Sequence, residues 1–315
     1  MDLKQLKALV TIAETANMTR AADVLNIVQP ALSRQISMLE DELGAILFER
    51  GRQGMILNEE GKTFLEYARR ILHEVEKAKA EVRPSSGTVS GIVNVGLLPS
   101  TSDLLSSMLL RQLQQQYPQI RITITAGYAG HLQEWLETGE IDVALLYSAR
   151  LSASLHVQPL VQERLWFVGP SGSGLQPDKP VTLNSVADRP IILPSPPHGL
   201  RILVDRVGQE NSLQLKVVAE TNSMSVQKRL VLDGHGYTIL PSIAIAEELA
   251  SGRLEAAPLT NAGLTRTIVL ARSRERNMTM SVKCVMQALS GCISTSIAGG
   301  DWAHAKWIAK SEAVT

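Results

Sequence analysis

The sequence holds few cysteines, few aromatic residues and no excess of charge of either sign. Aromatic residues make up 4% of the chain, and 31 Lys and Arg balance 31 Asp and Glu. A balanced charge gives no argument for a polyanionic partner, and the first 65 residues hold only seven bases against nine acids. Overall charge therefore does not indicate an interaction with nucleic acid, and only motifs and the positions of particular residues can.

The two cysteines, Cys284 and Cys292, stand in a predicted helix without the CxxC or histidine spacing of metal sites. We expect buried or idle thiols and no bound metal. No apolar run approaches the roughly 20 residues that cross a bilayer, and no basic-then-apolar leader opens the sequence. These absences predict a cytoplasmic protein with no membrane partner.

Motifs of catalysis and of cofactor binding are missing as well. The GHG at residues 234–236 precedes a strand and lacks the third glycine of a dinucleotide fingerprint, and the SGSG at residues 171–174 lacks the Gly-Lys of a phosphate loop. The six histidines include no HExxH pair, and no serine stands in a GxSxG elbow. We therefore expect neither an enzyme nor a cofactor.

What the sequence does contain is a pair of short amphipathic helices between Met18 and Leu43. Apolar residues at helical spacing give two faces joined by a few residues of turn, which predicts a helix-turn-helix. Thr19 is placed to cap the first helix. The second helix carries a short polar set near its start, where a helix in the major groove keeps its base-reading side chains: Gln29, Pro30, Ser33 and Arg34.

The next segment, residues 46–61, surrounds Arg50 and Arg52 with apolar residues and turn glycines, and so predicts a small β-ribbon wing beside the helices. Helices and wing in this order, with TRAADVLN, QPALSRQISMLEDELGAILFER and NEEG, resemble the N-terminus of the LysR-type transcriptional regulators. One position differs: a Ser usually precedes QPALS in that family, whereas Val28 stands here and cannot cap the helix.

The resemblance implies binding to double-stranded promoter DNA. Gln29 and Arg34 are expected to read base edges with Ser33 near them, and Thr19, Arg50 and Arg52 to contact phosphates or the minor groove. If the protein is an activator, RNA polymerase is a further expected partner. The predicted DNA-binding residues are Thr19, Arg20, Gln29, Pro30, Ser33, Arg34, Arg50 and Arg52.

A long helix is predicted from Glu59 to about Val82, with Asn58 as its cap. Leu65, Ala68, Leu72 and Val75 alternate in steps of three and four, and a seam this long without a following partner helix predicts self-association into a homodimer or homotetramer. The alternative is one amphipathic helix packed on its own domain. Family resemblance, in which this linker helix forms the dimer contact, favours the seam.

Pro84 and the residues up to Gly87 predict a hinge to a second domain. Beyond it, apolar strands alternate with helices, which predicts parallel sheet covered on both faces. The order resembles the two-lobed, periplasmic-binding-protein-like effector domain of the same family. The overall fold class is therefore α+β: a winged helix-turn-helix (1–58), a linker helix and hinge (59–87), a two-lobed α/β domain (88–293, lobe I 90–162 plus 265–293, lobe II 163–264) and a C-terminal extension (294–315).

Open parallel sheets bind ligands where loops follow the carboxyl ends of strands. The polar residues of those loops predict an effector site for a small molecule, and hydroxyls at a helix start can equally serve as caps. The predicted effector residues are Ser100, Thr101, Ser102, Tyr128, Ser195 and His198.

Two stretches, AGYAGHLQEWLETGEIDVALLY and LPSPPHGLR, resemble the branch that includes the nitrogen assimilation control proteins, some of which act without a known ligand. That branch commonly has Glu and Ser where this chain has Ala126 and Ala129. The alternative hypothesis is therefore a regulator that acts without an effector. A solute-binding protein with the same second domain is a remote one, because the wing and the missing leader argue against it.

Overall fold

The computed structural model describes residues 1–51, 54–82, 88–148, 151–261 and 263–309. The chain forms two compact units, Met1–Ser86 and Gly87–Thr315. None of the described helices combines the length and the apolar character needed to traverse a lipid bilayer. The first unit contains α1 (Leu3–Thr15), α2 (Met18–Val24), α3 (Gln29–Leu43), β1 (Phe48–Gly51), β2 (Gly54–Leu57) and α4 (Glu59–Val82).

Helices α2 and α3 form the predicted helix-turn-helix around a shared apolar core. From α3, Leu32 and Leu39 are fully buried, and Ala21 of α2 is buried beside them. Small Ala21 lets the two helices approach closely. The order of helices, strands and units confirms the predicted fold class.

The cap of α2 differs from the prediction. Asn17, not Thr19, is the N-cap residue, and its side chain accepts a hydrogen bond from the Arg20 backbone N–H at 3.0 Å. An Asn in extended backbone just before the first turn is well placed for this bond, whereas Thr19 already lies inside the helix. At α3 the N-cap residue is Val28, which makes no side-chain cap bond, as its side chain dictates.

The wing is a two-stranded antiparallel ribbon in which β1 and β2 pair from Phe48 with Leu57 to Gly51 with Gly54. Met55 donates its backbone N–H to the Ala16 carbonyl at 3.0 Å, which fastens the ribbon to the end of α1. Gly54 has φ of +109°, and a Cβ there would collide with that same carbonyl, so only glycine fits. Predicted Arg52 lies outside the described residues.

Helix α4 begins as predicted, because the Asn58 side chain accepts the Gly61 backbone N–H at 2.8 Å. The seam predicted along this helix partly faces the core of its own unit. Ala68 is fully buried in the core of the first unit, and Leu65 and Leu72 pack against that core. These residues stabilise the attachment of α4 to its own unit, which periodicity alone cannot distinguish from a seam between copies.

The second unit holds the remaining elements. They are β3 (Gly91–Leu97), α5 (Pro99–Gln116), β4 (Ile120–Ala126), α6 (Ala129–Thr138), β5 (Val143–Tyr147), β6 (Leu155–Pro170), α7 (Leu183–Val186), β7 (Ile191–Leu193), α8 (Gly199–Glu210), β8 (Val217–Glu220), α9 (Met224–Leu232), β9 (Tyr237–Pro241), a 3-10 turn (Ser242–Ile245), α10 (Ala246–Ala250), β10 (Leu254–Pro258), β11 (Thr265–Ser273), α11 (Met280–Gly299) and β12 (Ala305–Trp307). The predicted hinge residues 84–87 lie outside the described residues.

The strands follow the order β4-β3-β5-β11-β6-β9-β7-β8, with β10 and β12 also paired to β6. Strands β3, β4 and β5 are parallel and belong to lobe I, and β7, β8 and β9 are parallel and belong to lobe II. Strand β6 runs through both lobes. Opposite β11 it carries a register shift between Val161 and Pro159, a bulge beside a residue that has no N–H to donate.

The first residues of the predicted C-terminal extension (294–315) belong to α11, which continues to Gly299. Beyond it, Trp302 is only 1% exposed and β12 pairs antiparallel with β6. Residues up to 309 are therefore part of the packed second unit. The residues from 310 onward lie outside the described residues.

Candidate nucleic-acid interface and ligand cavity

The first candidate site is the outer face of α3. Its apolar residues Leu32, Ile36 and Leu39 face the core, so the opposite face is turned outward. Gln29, Pro30 and Arg34 are exposed, and Ser33 is half-buried. The first two turns of the helix thus present an amide, a hydroxyl and a guanidinium, the groups that read base edges in a major groove.

Thr19 and Arg20 extend this surface onto α2, where both are exposed. The Thr19 hydroxyl lies 3.5 Å from the Gln29 amide oxygen, so the two helices place their polar side chains together. Arg50 belongs to β1 and pairs across the ribbon with Met55. The side chain of Arg50 and all of Arg52 lie outside the described residues.

The second candidate site is a cavity between the two lobes of the second unit. It encloses about 390 Å³ of empty space, counting the part open to solvent. The lining is mostly apolar with a few hydrogen-bonding groups, as in pockets for small molecules. Its residues are Pro99, Ser100, Tyr128, Tyr147, Pro194, His198, Leu200, Met224, Gln227, Leu240, Pro241 and Arg266.

Arg266 is the cation of the cavity and is held from several sides. Its Nε donates to Glu163 Oε1 and one terminal nitrogen donates to the Tyr147 hydroxyl, both at 2.5 Å. The guanidinium also lies 4.2 Å from the centre of the Tyr147 ring. The second terminal nitrogen approaches the Ser100 hydroxyl at 3.4 Å, so this edge faces the cavity with a weaker bond than the others.

His198 caps α8 and faces Arg266 across the cavity. Its Nδ1 accepts the Leu200 backbone N–H at 3.1 Å, and its ring meets the edge of Tyr128 at 4.7 Å between centres. Burial, reinforced by the Arg266 charge, lowers the pKa of His198 to about 4. The ring is therefore neutral near pH 7, and because Nδ1 accepts, the proton sits on Nε2.

Tyr128 closes the cavity by joining the lobes. It precedes α6 in lobe I, and its hydroxyl donates to the Asn222 carbonyl in lobe II. Burial raises the pKa of Tyr128 and keeps the hydroxyl protonated as a donor. A change in the lobes' relative position must therefore break or reform this bond.

Three predicted effector residues do not line the cavity. The Thr101 side chain is fully buried and donates to the Leu98 carbonyl at 3.0 Å, while Ser102 donates to the Pro99 carbonyl at 3.0 Å. Hydroxyls in the first turn of α5 bond back to the helix start, so only Ser100 remains on the cavity. Ser195 donates its backbone N–H to the Asn222 side chain at 3.1 Å instead.

Sequence reasoning missed Arg266 and Tyr147, because their signal is topological. Tyr147 is the last residue of β5 and Arg266 is the second residue of β11, the antiparallel neighbour of β5 that comes from far along the chain. Nothing in the local pattern of β11 distinguishes Arg266 from the other polar residues of that strand. Ala126 and Ala129 are not among the described residues that line the cavity.

Two family models match the chain. The model described as bacterial regulatory helix-turn-helix protein, lysR family, matches residues 3–62, and the model described as LysR substrate binding domain matches residues 86–291. The first match covers the helix-turn-helix and wing, and the second covers both lobes around the cavity. Residues 301–309 lie beyond both matches.

Curated relatives and solved structures agree with these matches. The chain is 30% identical over 302 residues to the HTH-type transcriptional regulator BbuR of Bordetella bronchiseptica, covering 96% of this chain and 93% of that protein. It is 29% identical to the nitrogen assimilation regulatory protein nac of Klebsiella aerogenes, covering 93% and 96%. Full-length CbnR complexed with its target DNA has the same fold, with a TM-score of 0.70, 21% identity and coverage of 94% and 100%.

The depressed pKa of His198 predicts acid-sensitive stability of the second unit. Between pH 6.5 and about 4 the unfolded chain binds a proton that the folded chain does not. The contribution is present above pH 6.5 and is lost as the pH falls towards 4, and partial exposure of the ring reduces it to about 1–2 kcal/mol. His198→Gln keeps a cap acceptor but cannot titrate, so its unfolding free energy should vary less with pH.

Urea unfolding between pH 4 and 7 measures this dependence. His131→Gln, at an exposed position in α6, is the matched control and should follow the wild type. An identical pH dependence for wild type and His198→Gln would contradict the burial argument.

Proposed function

The chain belongs to the LysR family of DNA-binding transcriptional regulators, and we propose that the first two turns of α3 read base edges in a promoter site. The observation that carries the proposal is the outward polar set on α3, with Gln29 and Arg34 exposed. Arg bidentate to guanine and Gln bidentate to adenine are common specific contacts in the major groove. Thr19, Arg20 and the wing arginines Arg50 and Arg52 would contact the backbone and fix the register.

We propose that the protein is cytoplasmic and that promoter DNA is its partner. If the protein activates transcription, RNA polymerase is a further proposed partner. We propose no enzymatic activity, in keeping with relatives that are transcriptional regulators. The alternative of a solute-binding protein gains no support, because residues 3–62 match a DNA-binding family model.

Arg34→Ala is expected to weaken binding to a preferred site by about 1–3 kcal/mol and to relax sequence preference, because a base contact is lost. Arg20→Ala is expected to weaken all sequences alike and to reduce the slope of log affinity against log salt by about 1. Both variants are compared with wild type by fluorescence anisotropy over a range of KCl, on a duplex selected by the wild-type protein and on its scrambled version. Unchanged affinity and preference in Arg34→Ala would show that α3 does not read bases.

We further propose that the protein self-associates through the free side of α4. The exposed apolar residues of that helix are Tyr67, Ile71 and Val82, and together with Ala78 they fall in steps of four and seven on one stripe. Val75 borders this stripe and is half-buried. An exposed apolar stripe on a helix of 24 residues, Glu59–Val82, is typical of a surface that another helix covers.

Ile71→Asp should break this association, because a charge buried without a partner costs about 3–5 kcal/mol, which is more than a hundredfold in affinity. Lys62→Asp, an exposed change in the first turn of α4, is the control and should leave assembly intact. Sedimentation equilibrium of the full-length proteins gives the masses. A mass for Ile71→Asp equal to that of the wild type would refute the stripe as the interface, whereas Leu72→Asp should mainly destabilise the first unit.

The cavity supports an effector of defined chemistry. Its walls are apolar at Pro99, Leu200 and Met224, and its polar groups are mainly donors: the His198 Nε2–H, one edge of Arg266 and the Ser100 hydroxyl. We propose a small, mostly apolar molecule with a single acceptor group, either a carbonyl or a carboxylate. A ligand that prefers one arrangement of the lobes would bias it, since equal affinity for both would shift nothing.

A thermal-shift screen of small carboxylates and carbonyl compounds tests this proposal. A true ligand should stabilise wild type and Thr101→Val equally, because the Thr101 hydroxyl is bonded within α5. It should stabilise Ser100→Ala less, since a lost hydrogen bond weakens binding by about 1 kcal/mol. If a ligand raised the melting temperature of Ser100→Ala as much as that of the wild type, the cavity would not be its binding site. If no compound in the screen raised the melting temperature of the wild type, the result would favour the effector-independent regulator.

A further inference from the structure

Residues 301–309, which we call the strap, pack on the strand that both lobes share. Within the strap, β12 pairs antiparallel with β6 so that Ala305 stands opposite Glu163 and Trp307 opposite Val161. The Ile308 backbone N–H then bonds the Leu160 carbonyl at 2.9 Å. The strap thus lies over the segment of β6 that passes from lobe I to lobe II.

The strap contacts both lobes at once. Trp302 belongs to the core that includes β3, β5 and α11, and its backbone N–H bonds the Ser296 carbonyl at 3.1 Å. On the other side, Ser242 of lobe II donates to the Ala303 carbonyl at 2.5 Å. His304 meets the edge of Trp166, also in lobe II, at 4.7 Å between ring centres.

Trp302 links the strap to the cavity by a chain of hydrogen bonds. The Trp302 indole Nε1–H donates to Glu163 Oε2 at 2.9 Å, and the other oxygen of the same carboxylate accepts from Arg266 at 2.5 Å. The Glu163 side chain is 1% exposed and that of Arg266 is 8% exposed. A buried carboxylate needs a donor on each oxygen, so the indole and the guanidinium hold it from opposite sides.

This division of the two oxygens fixes the position of Arg266. While the indole occupies Oε2, Arg266 bonds Oε1 through Nε alone, and its terminal nitrogens stay directed to Tyr147 and Ser100. Without the indole, both oxygens would be free for a bidentate pair with the guanidinium. Such a pair would draw the terminal nitrogens away from the cavity.

We propose that Trp302 is a positioning residue that holds Arg266, through Glu163, in the orientation the ligand cavity requires. The strap would then belong to the site even though it lies beyond the matched effector domain. The relevance of this orientation to a ligand rests on the proposed function of the cavity. The Trp302–Glu163–Arg266 arrangement itself needs neither a ligand nor DNA, and it is tested without them.

The test is nitrogen-15 NMR of the full-length protein, which observes Arg Nε–H and Trp Nε1–H groups directly. The Arg266 signal is assigned by its loss in Arg266→Lys. In Trp302→Phe, which keeps an aromatic ring but loses the N–H, the Arg266 signal should shift or broaden. In Trp307→Phe, the same change two residues past the Ala305–Glu163 pair, it should stay where it is in the wild type.

An Arg266 signal unchanged in Trp302→Phe would overturn the proposal, and so would an equal shift in Trp307→Phe. A second measurement needs no variant to fold: hydrogen exchange of the wild-type indoles. The Trp302 Nε1–H should exchange at least tenfold more slowly than that of Trp307, because it is bonded to a buried carboxylate, and equal rates would also overturn the proposal. A failed ligand screen would count against the effector alone, since neither NMR readout involves a ligand.

Discussion

Glu163 lies in the middle of β6, a strand that both lobes share, and its carboxylate is almost fully buried. A charge in that position is tolerated only if donors reach both oxygens. One donor, Arg266, comes from β11 and the other, Trp302, from the C-terminal strap. The need to pair this one carboxylate therefore brings together the junction of the lobes, the cation of the cavity and a segment from the end of the chain.

The first unit has to satisfy a different structural requirement. Its helices must bury a small core while leaving one face of α3 free, and Leu32, Ile36 and Leu39 do so by occupying a single stripe. The first unit is also less stable than it could be. Val28 cannot cap α3, which costs about 1 kcal/mol relative to a Ser or Asn. On α4, Ala68 and Leu72 pack against the core of the same unit.

Residues whose position follows from local pattern could be predicted from the sequence. The exposure of Gln29 and Arg34 follows from helical period, and Ser100, Tyr128 and His198 reach one cavity because loops after parallel strands converge. Three features of the site and core could not be predicted from the sequence. The direction of the Thr101 hydroxyl depends on the first turn of α5, the burial of Ala68 depends on tertiary packing, and Arg266 enters the cavity only through antiparallel pairing across more than a hundred residues. The family resemblance could not reveal the strap, because the strap lies beyond residues 86–291, which match the family model.

We propose that the chain reads a defined DNA site as a symmetric assembly. Selection of random duplexes by the full-length protein, followed by sequencing, measures this directly. We expect an enriched inverted repeat whose two halves are separated by one turn of the double helix or a multiple of it, since two copies related by a two-fold axis present two α3 helices. Enriched duplexes without a shared motif, or a single half-site without its mirror copy, would contradict it.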